Sequence, residues 1–214
     1  MSRKHPGLFI AFEGLDGSGS QQYASSLTRS MSREGYRVTQ TSEPTSTMIG
    51  GLIRARLAGE WNIAPETLQL LFTADRAEHL RAKILPSLEA GRIVVCDRYI
   101  LSALAYNVVL VNDPEWLRAL NRRFPKPDLT FLIKVHPKVC VRRLKLEQLE
   151  LNMRAEEQKL QDVWSEYERL TGEFDSIHII DGERDDVAIL DEIMDITQRQ
   201  LLEPVKLTAL TPTA

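Results

Sequence analysis

Residues 12–22, FEGLDGSGSQQ, place Gly14, Gly17 and Gly19 between an apolar run and a helical pattern. Glycines in such a turn let the backbone curl around an anion, and the helix that follows offers it free N–H groups. Against the phosphate-loop pattern G-x-x-x-x-G-K-[ST], Gly14 and Gly19 match, with Asp16 and Ser18 between them. Ser20 stands where the lysine belongs, and Gln21 where a hydroxyl would ligate magnesium. Alone, the segment fits both a phosphate loop and an ordinary Gly-rich strand-to-helix turn.

Four further segments carry usable chemistry. Asp97-Arg98-Tyr99 follows a short apolar run. A carboxylate there holds magnesium through water, and an arginine clamps a phosphate with two N–H groups. The plain alternative is a buried Asp–Arg pair closing a strand. Phe72 and Arg76 lie one helical turn apart, a pair suited to a flat base: the ring stacks and the guanidinium donates to a carbonyl oxygen. The alternative is a core ring and a solvated charge. Ser102 and Tyr106 share a helix face just after Arg98, and Glu43-Pro44 follows a strand-like segment. These also read as an ordinary amphipathic helix and a proline turn.

The elements that must position these groups are legible as alternating apolar runs and amphipathic stretches. Residues 8–12, 37–41, 93–96, 128–135 and 176–180 read as strands, and 20–33, 65–90, 102–109, 137–147, 155–170 and 186–202 as helices. Pro86 is expected to kink or break the long second helix. Alternation of this kind predicts an α/β fold: about five parallel strands with helices on both faces, and the Gly-rich turn at the centre. A chain of 214 residues, 43% hydrophobic and 27% charged, reads as one domain over 1–214 with a loose tail from about 204. The net charge of −3 argues against non-specific nucleic-acid binding. Cys96 and Cys140 form no CxxC pair, and no apolar run has signal-peptide or membrane-span length. A cytoplasmic protein with free thiols is expected.

The segments FEGLDGSG (12–19), SEP (42–44), FTADRAEH (72–79), DRY (97–99), SALAYN (102–107) and PDLTFLIKV (127–135) occur in this order. Together they resemble the thymidylate kinase family of P-loop nucleoside monophosphate kinases, from residue 9 to about 202. The resemblance implies the three-layer P-loop NTPase fold, transfer of the γ-phosphate of ATP to dTMP to give dTDP, a need for Mg2+, and a homodimer. It implies that Phe72 and Arg76 hold the thymine, and that Arg98 and Arg54 clamp the acceptor phosphate. Asp16 and Glu43 take the places of acidic groups near the sugar and the transferring phosphate. Asp97 takes that of the carboxylate that organises magnesium. Ser102, Tyr106 and Asn107 fall beside the nucleoside, and Arg143 against the adenine of ATP.

The chain departs from the family at Ser20 and Gln21. Family members with a glycine after the loop aspartate, here Gly17, place a catalytic arginine in a lid. The corresponding region, about 145–156, lacks a clear Asp-Arg pair and offers Lys145 and Arg154 instead. Lys134 stands where the family often has aspartate; a solvent role and a charge at the sheet edge both fit. Three readings follow: an active dTMP kinase, a catalytically impaired nucleotide-binding relative, or a kinase of this fold for another nucleoside monophosphate.

Overall fold

The computed structural model describes residues 5–147 and 153–202, without the side chains of 145–147, 153–155 and 202. Its first strand, β1 (Leu8–Gly14), is buried along its whole length. It has to be, because it is the middle strand of a five-stranded sheet. The others are β2 (Val38–Ser42), β3 (Ile93–Asp97), β4 (Leu129–Lys134) and β5 (Ile177–Asp181), in the order β2-β3-β1-β4-β5. All four pairings are parallel. Central parallel strands are covered on both faces, which is why β1, β3 and β4 read as unbroken apolar runs.

Helix α1 (Ser20–Arg33) packs on β1, β2 and β3 and against α9 (Asp186–Leu202). Helix α5 (Ile100–Val111) lies on β1, and α3 (Pro65–His79) and α8 (Met153–Thr171) pack on α5. Side chains of β1 alternate between these two layers. Phe9 meets Tyr99, the residue preceding α5, edge to face at 5.0 Å, so Glu13, four residues on, faces the α5 layer too.

The strand and helix bounds shift by one or two residues from the sequence reading, with two larger corrections. The 65–90 stretch is not a single helix broken at Pro86. It is α3, a π-helical turn (Leu80–Ile84) and α4 (Leu85–Glu89). Pro86 sits in the first turn of α4, where its missing N–H costs nothing, and the irregular turn precedes it. Helices α2 (Met48–Leu57) and α6 (Pro114–Asn121) were not expected. Gly50 and Gly51 mask α2. For α6 the signals were present: Asp113 caps it by accepting from Trp116 N at 2.9 Å, and Pro114 opens it. The remaining helix, α7 (Pro137–Glu147), follows β4.

β1 lies between β3 and β4, and the chain departs from it in one direction to β2 and β3 and later crosses to β4. This is the reversal point beside which open parallel sheets bind ligands, at the carboxyl ends of the strands. The Gly-rich turn, Asp97-Arg98 and Glu43 all lie there.

Candidate active site

The turn from β1 into α1 is held open by backbone conformation. Gly17 and Gly19 have φ of 82° and 87°, and a Cβ at Gly17 would fall 2.6 Å from Cys140 O. Both positions require glycine. Ser18 Oγ is buried and has no hydrogen-bond partner among the described residues. Ser20, at the lysine position, is buried, and its Oγ donates to Asp97 Oδ1 at 2.9 Å. Gln21 is exposed. Arg143 braces the turn from α7, donating to Gly17 O at 3.4 Å, Ser18 O at 3.2 Å and Gly182 O at 3.4 Å. Burial holds the Asp97 carboxyl above its ordinary range, opposed by the charge of Arg98 and the Ser20 hydrogen bond.

A cavity of about 360 Å³ opens beside this turn, between α3 and α5. Arg98 forms its inner end. Its φ is 65°, a left-handed conformation costly for a residue with a side chain. Its N–H extends the sheet ladder to Phe12 O at 2.8 Å. Its guanidinium donates to Asp16 Oδ1 at 2.6 Å and Ser102 Oγ at 3.2 Å, and lies over the Tyr106 ring at 5.3 Å. Tyr106 Oη in turn accepts from Asp16 N at 2.8 Å. Asp16, Arg98, Ser102 and Tyr106 are therefore one network.

Arg76 and Phe72 face the same cavity from α3. Arg76 is 1% exposed. It donates to Glu43 Oε2 at 2.9 Å, to Tyr99 O at 2.8 Å and to Asn121 Oδ1. Its Nη2 also lies 2.7 Å from Glu43 Oε2, so of the five N–H groups of a guanidinium one, on Nη1, is left for a ligand. Glu43 also meets His79 Nδ1 at 3.1 Å, and His79 Nε2 meets Thr41 Oγ1 at 2.6 Å. Across the cavity, Asn107 Nδ2 donates to Ala103 O at 2.7 Å, while its Oδ1 is buried with no partner among the described residues.

The structure thus brings Asp16, Glu43, Phe72, Arg76, Arg98, Ser102, Tyr106 and Asn107 to one cavity, with Ser20 and Asp97 at the adjoining turn. Arg54 is not in the cavity wall. It donates to the carbonyls of Pro44 and Thr45, and Arg56 and Lys159 line the wall instead. Lys134 lies 3.9 Å from Glu168 and over the Trp164 ring at 5.6 Å, which is a solvent-side role on α8. The side chains of Lys145 and Arg154 lie outside the described residues.

Residue-type reasoning passed over Glu13, Asn121 and Tyr167. Glu13 is 1% exposed, and burial pushes its carboxyl up to about 7, against hydrogen bonds from Ser102 and the charges of Arg98 and Arg76. A carboxylate inside an otherwise apolar strand was the available signal: it must find donors.

Comparison with known proteins bears on this site. The family model described as thymidylate kinase matches residues 12–193. The chain is 43% identical over 145 residues to a probable thymidylate kinase of Pyrococcus horikoshii, covering 65% of this chain and 71% of that protein. It is 32% identical over 207 residues to a probable thymidylate kinase of Thermococcus gammatolerans, covering 93% and 100%. It is 39% identical over 145 residues to a thymidylate kinase of Caldicellulosiruptor saccharolyticus, covering 65% and 70%.

Proposed function

Because the chain belongs to the thymidylate kinase family, we propose that it transfers the γ-phosphate of ATP to dTMP, giving ADP and dTDP. The observation that carries this reading is the pairing of Arg76 and Asn107 across a cavity that ends at Arg98. Thymine presents a carbonyl oxygen at C4 and an N–H at N3. Arg76 has one donor left for the first, and the orphan Oδ1 of Asn107 accepts from the second. Cytosine, with an amino group at C4 and no hydrogen at N3, reverses both. Phe72 supplies the stacking face.

With the base so held, the acceptor phosphate lies against Arg98, next to the glycine turn. Phosphoryl transfer needs alignment and charge neutralisation more than covalent help from the protein. A phosphate monoester oxygen is itself the nucleophile, so no side chain has to remove a proton. Arg98 orients that phosphate, Asp16 and Tyr106 hold Arg98, and the backbone N–H groups of residues 17, 19 and 20 and the free Ser18 hydroxyl receive the phosphates of ATP.

The donor set at the turn fits Mg2+: Asp97 and Ser20 offer hard oxygens 2.9 Å apart. No group of three or more His, Cys, Asp or Glu side chains gathers among the described residues. That suits a cation held mostly by phosphates and water. Bound there, it would neutralise charge on the transferring phosphate. Gln21, exposed on α1, is the weaker candidate ligand. Lys145 and Arg154 are the cations offered to the ATP phosphates, in one domain. Arg143 supports the loop and the adenine side.

Exposed apolar side chains on and between α2 and α3 (Met48, Leu52, Trp61 and Leu70) support a homodimer. No described helix is long and apolar enough to cross a membrane, and we place the protein in the cytoplasm. A second reading, nucleotide binding with feeble transfer, is favoured by one observation: the lysine position carries a neutral hydroxyl already engaged with Asp97.

A coupled ADP-release assay over a panel of nucleoside monophosphates with Mg-ATP tests both. Turnover highest with dTMP supports the kinase. Tight dTMP binding by calorimetry without turnover supports the second reading, and no binding of dTMP refutes both.

A further inference from the structure

We infer that Glu13, to which neither the resemblance nor the comparisons assign a role, is the positioning residue of the acceptor site: from the end of β1 its carboxylate fixes the turn that carries Arg98. The inference rests on the acceptor-site reading above.

Four donors converge on this one carboxylate. Oε1 accepts from Tyr99 N at 3.0 Å and Leu101 N at 3.1 Å. Oε2 accepts from Ser102 N at 3.0 Å and from Ser102 Oγ. These N–H groups are the start of α5, whose N-cap residue, Tyr99, makes no side-chain cap of its own. A helix start leaves N–H groups without internal partners and carries partial positive charge. Glu13 supplies the cap from a different element. It thereby ties the helix bearing Ser102, Tyr106 and Asn107 to the central strand.

The residue immediately before this capped turn is Arg98, in its left-handed conformation. Such a conformation persists only where neighbours over-determine it. Phe12 O holds Arg98 on one side and the Glu13 carboxylate holds Tyr99 on the other. The grip also reaches the guanidinium, because Ser102 Oγ, which donates to Glu13, accepts from Arg98 Nη1 at 3.2 Å. Ser102 Oγ lies 2.9 Å from Tyr167 Oη, which donates to Gly14 O at 3.2 Å. One buried carboxylate therefore connects the acceptor clamp to the first glycine of the phosphate turn.

The network tolerates either protonation state of Glu13. Ionised, Glu13 accepts from Ser102. Protonated, it donates to Ser102 Oγ, Ser102 donates to Tyr167, and Tyr167 keeps its bond to Gly14. The charged groups facing it are Arg98, from the turn after β3, and Arg76, from α3; the buried phenol of Tyr167, from α8, and the buried thiol of Cys96, from β3, also face it. A phosphate settling on Arg98 adds negative charge beside this carboxyl and shifts it toward the protonated form. Glu13 should therefore take up protons as dTMP binds near neutral pH, against the release from the dTMP phosphate as Arg98 binds it fully ionised; the difference between wild type and a Glu13 variant isolates the Glu13 share.

Calorimetric titration of the full chain with dTMP and with thymidine, in two buffers of different ionisation enthalpy, tests this. The wild type is expected to take up more protons per dTMP than Glu13→Gln, by a fraction of a proton. Glu13→Gln should also weaken dTMP about tenfold and weaken thymidine much less, since its amide nitrogen faces the Ser102 N–H as donor against donor at the turn that carries Arg98. Glu13→Asp, which is too short to span all four donors, should show the same split and serves if the glutamine variant does not fold. Unchanged dTMP affinity in the variants, equal losses for dTMP and thymidine, or the same proton count in wild type and Glu13→Gln overturns the inference and leaves the kinase reading standing. A wild type that binds neither ligand overturns both.

Discussion

Replacing Ser20 by lysine restores the point charge that phosphoryl transfer uses between the β- and γ-phosphates. The position is suited to receive it. Ser20 opens α1, is 5% exposed, and its Oγ already lies 2.9 Å from Asp97 Oδ1. One preorganised donor to the developing charge contributes about 3 kcal/mol, a factor of roughly 10²–10³ in rate. Part of this is offset. Before ATP arrives the new ammonium pairs with Asp97, and trading that contact for phosphate oxygens costs about 1 kcal/mol for a partly screened pair. The net gain is then about 2 kcal/mol, roughly thirtyfold in kcat. Coupled ADP release at saturating dTMP, with Mg-ATP varied, reads it directly. Ser20→Ala is the control: it removes the hydroxyl that meets Asp97 and adds no charge, so it should lower kcat rather than raise it. If Ser20→Lys stays within about threefold of wild type in both kcat and the KM for ATP, with unchanged Tm, the turn does not present residue 20 to the phosphates and the reasoning fails.

The other predictions follow from the same geometry. Arg98→Ala should weaken dTMP by about 2–5 kcal/mol in calorimetry and leave thymidine nearly alone, because the phosphate loses a desolvated charge partner. Asn107→Leu removes a buried oxygen that has no partner in the free protein. It should weaken dTMP roughly tenfold and lower the preference for dTMP over dCMP, while Tm holds or rises. Arg154→Ala and Lys145→Ala should reduce transfer without changing dTMP affinity, and the loss should shrink in the Ser20→Lys background. Glu13 sets a pH dependence of stability. Its carboxyl rises from 4.5 to about 7 on folding, so its contribution is fully present below pH 4.5 and is lost as pH rises through 7. Urea unfolding should show the wild type losing about 3 kcal/mol relative to Glu13→Gln across that window, and a parallel pH dependence in the two proteins would contradict it.

Much of this was legible from residue types because parallel sheets impose a strong pattern. Apolar runs with no polar face, such as residues 93–96, can only be strands buried on both sides, and their ends locate the site. The functional residues that matched also sat at helical spacing, as Phe72 and Arg76 do. What could not be read were partnerships across elements. Nothing in the spacing says that Arg76 will spend donors on Glu43 and Asn121. Nothing says that Arg54 will turn to the Pro44 and Thr45 carbonyls while Arg56, two residues on and on the opposite side of the helix, lines the cavity. Helix α2 was hidden because Gly50 and Gly51 lower its propensity. Yet a Cβ at Gly50 would fall 1.9 Å from Thr45 O, so the glycine is there for packing, and tertiary contact outweighs propensity. The role of Glu13 needed the fold, since its four donors lie more than eighty residues away in the chain.

The two halves of the site differ in how their charges are held, and this explains how the chain tolerates serine at the lysine position. In the acceptor half two arginines have a carboxylate partner in place: Arg76 with Glu43 at 2.7 Å, Arg98 with Asp16 at 2.6 Å. Removing one partner of the buried Arg76–Glu43 pair would strand a charge, at a cost of about 3–5 kcal/mol. In the donor half the equivalent hazard is Asp97, which sits largely buried at the end of β3. Serine does not strand it, because its hydroxyl donates to Oδ1 where an ammonium would have donated, and burial itself raises the carboxyl toward its neutral form. The loop glycines and the Arg143 brace are independent of residue 20. A change at this position therefore falls on the rate of phosphoryl transfer and on ATP affinity, and leaves both the fold and the dTMP site intact.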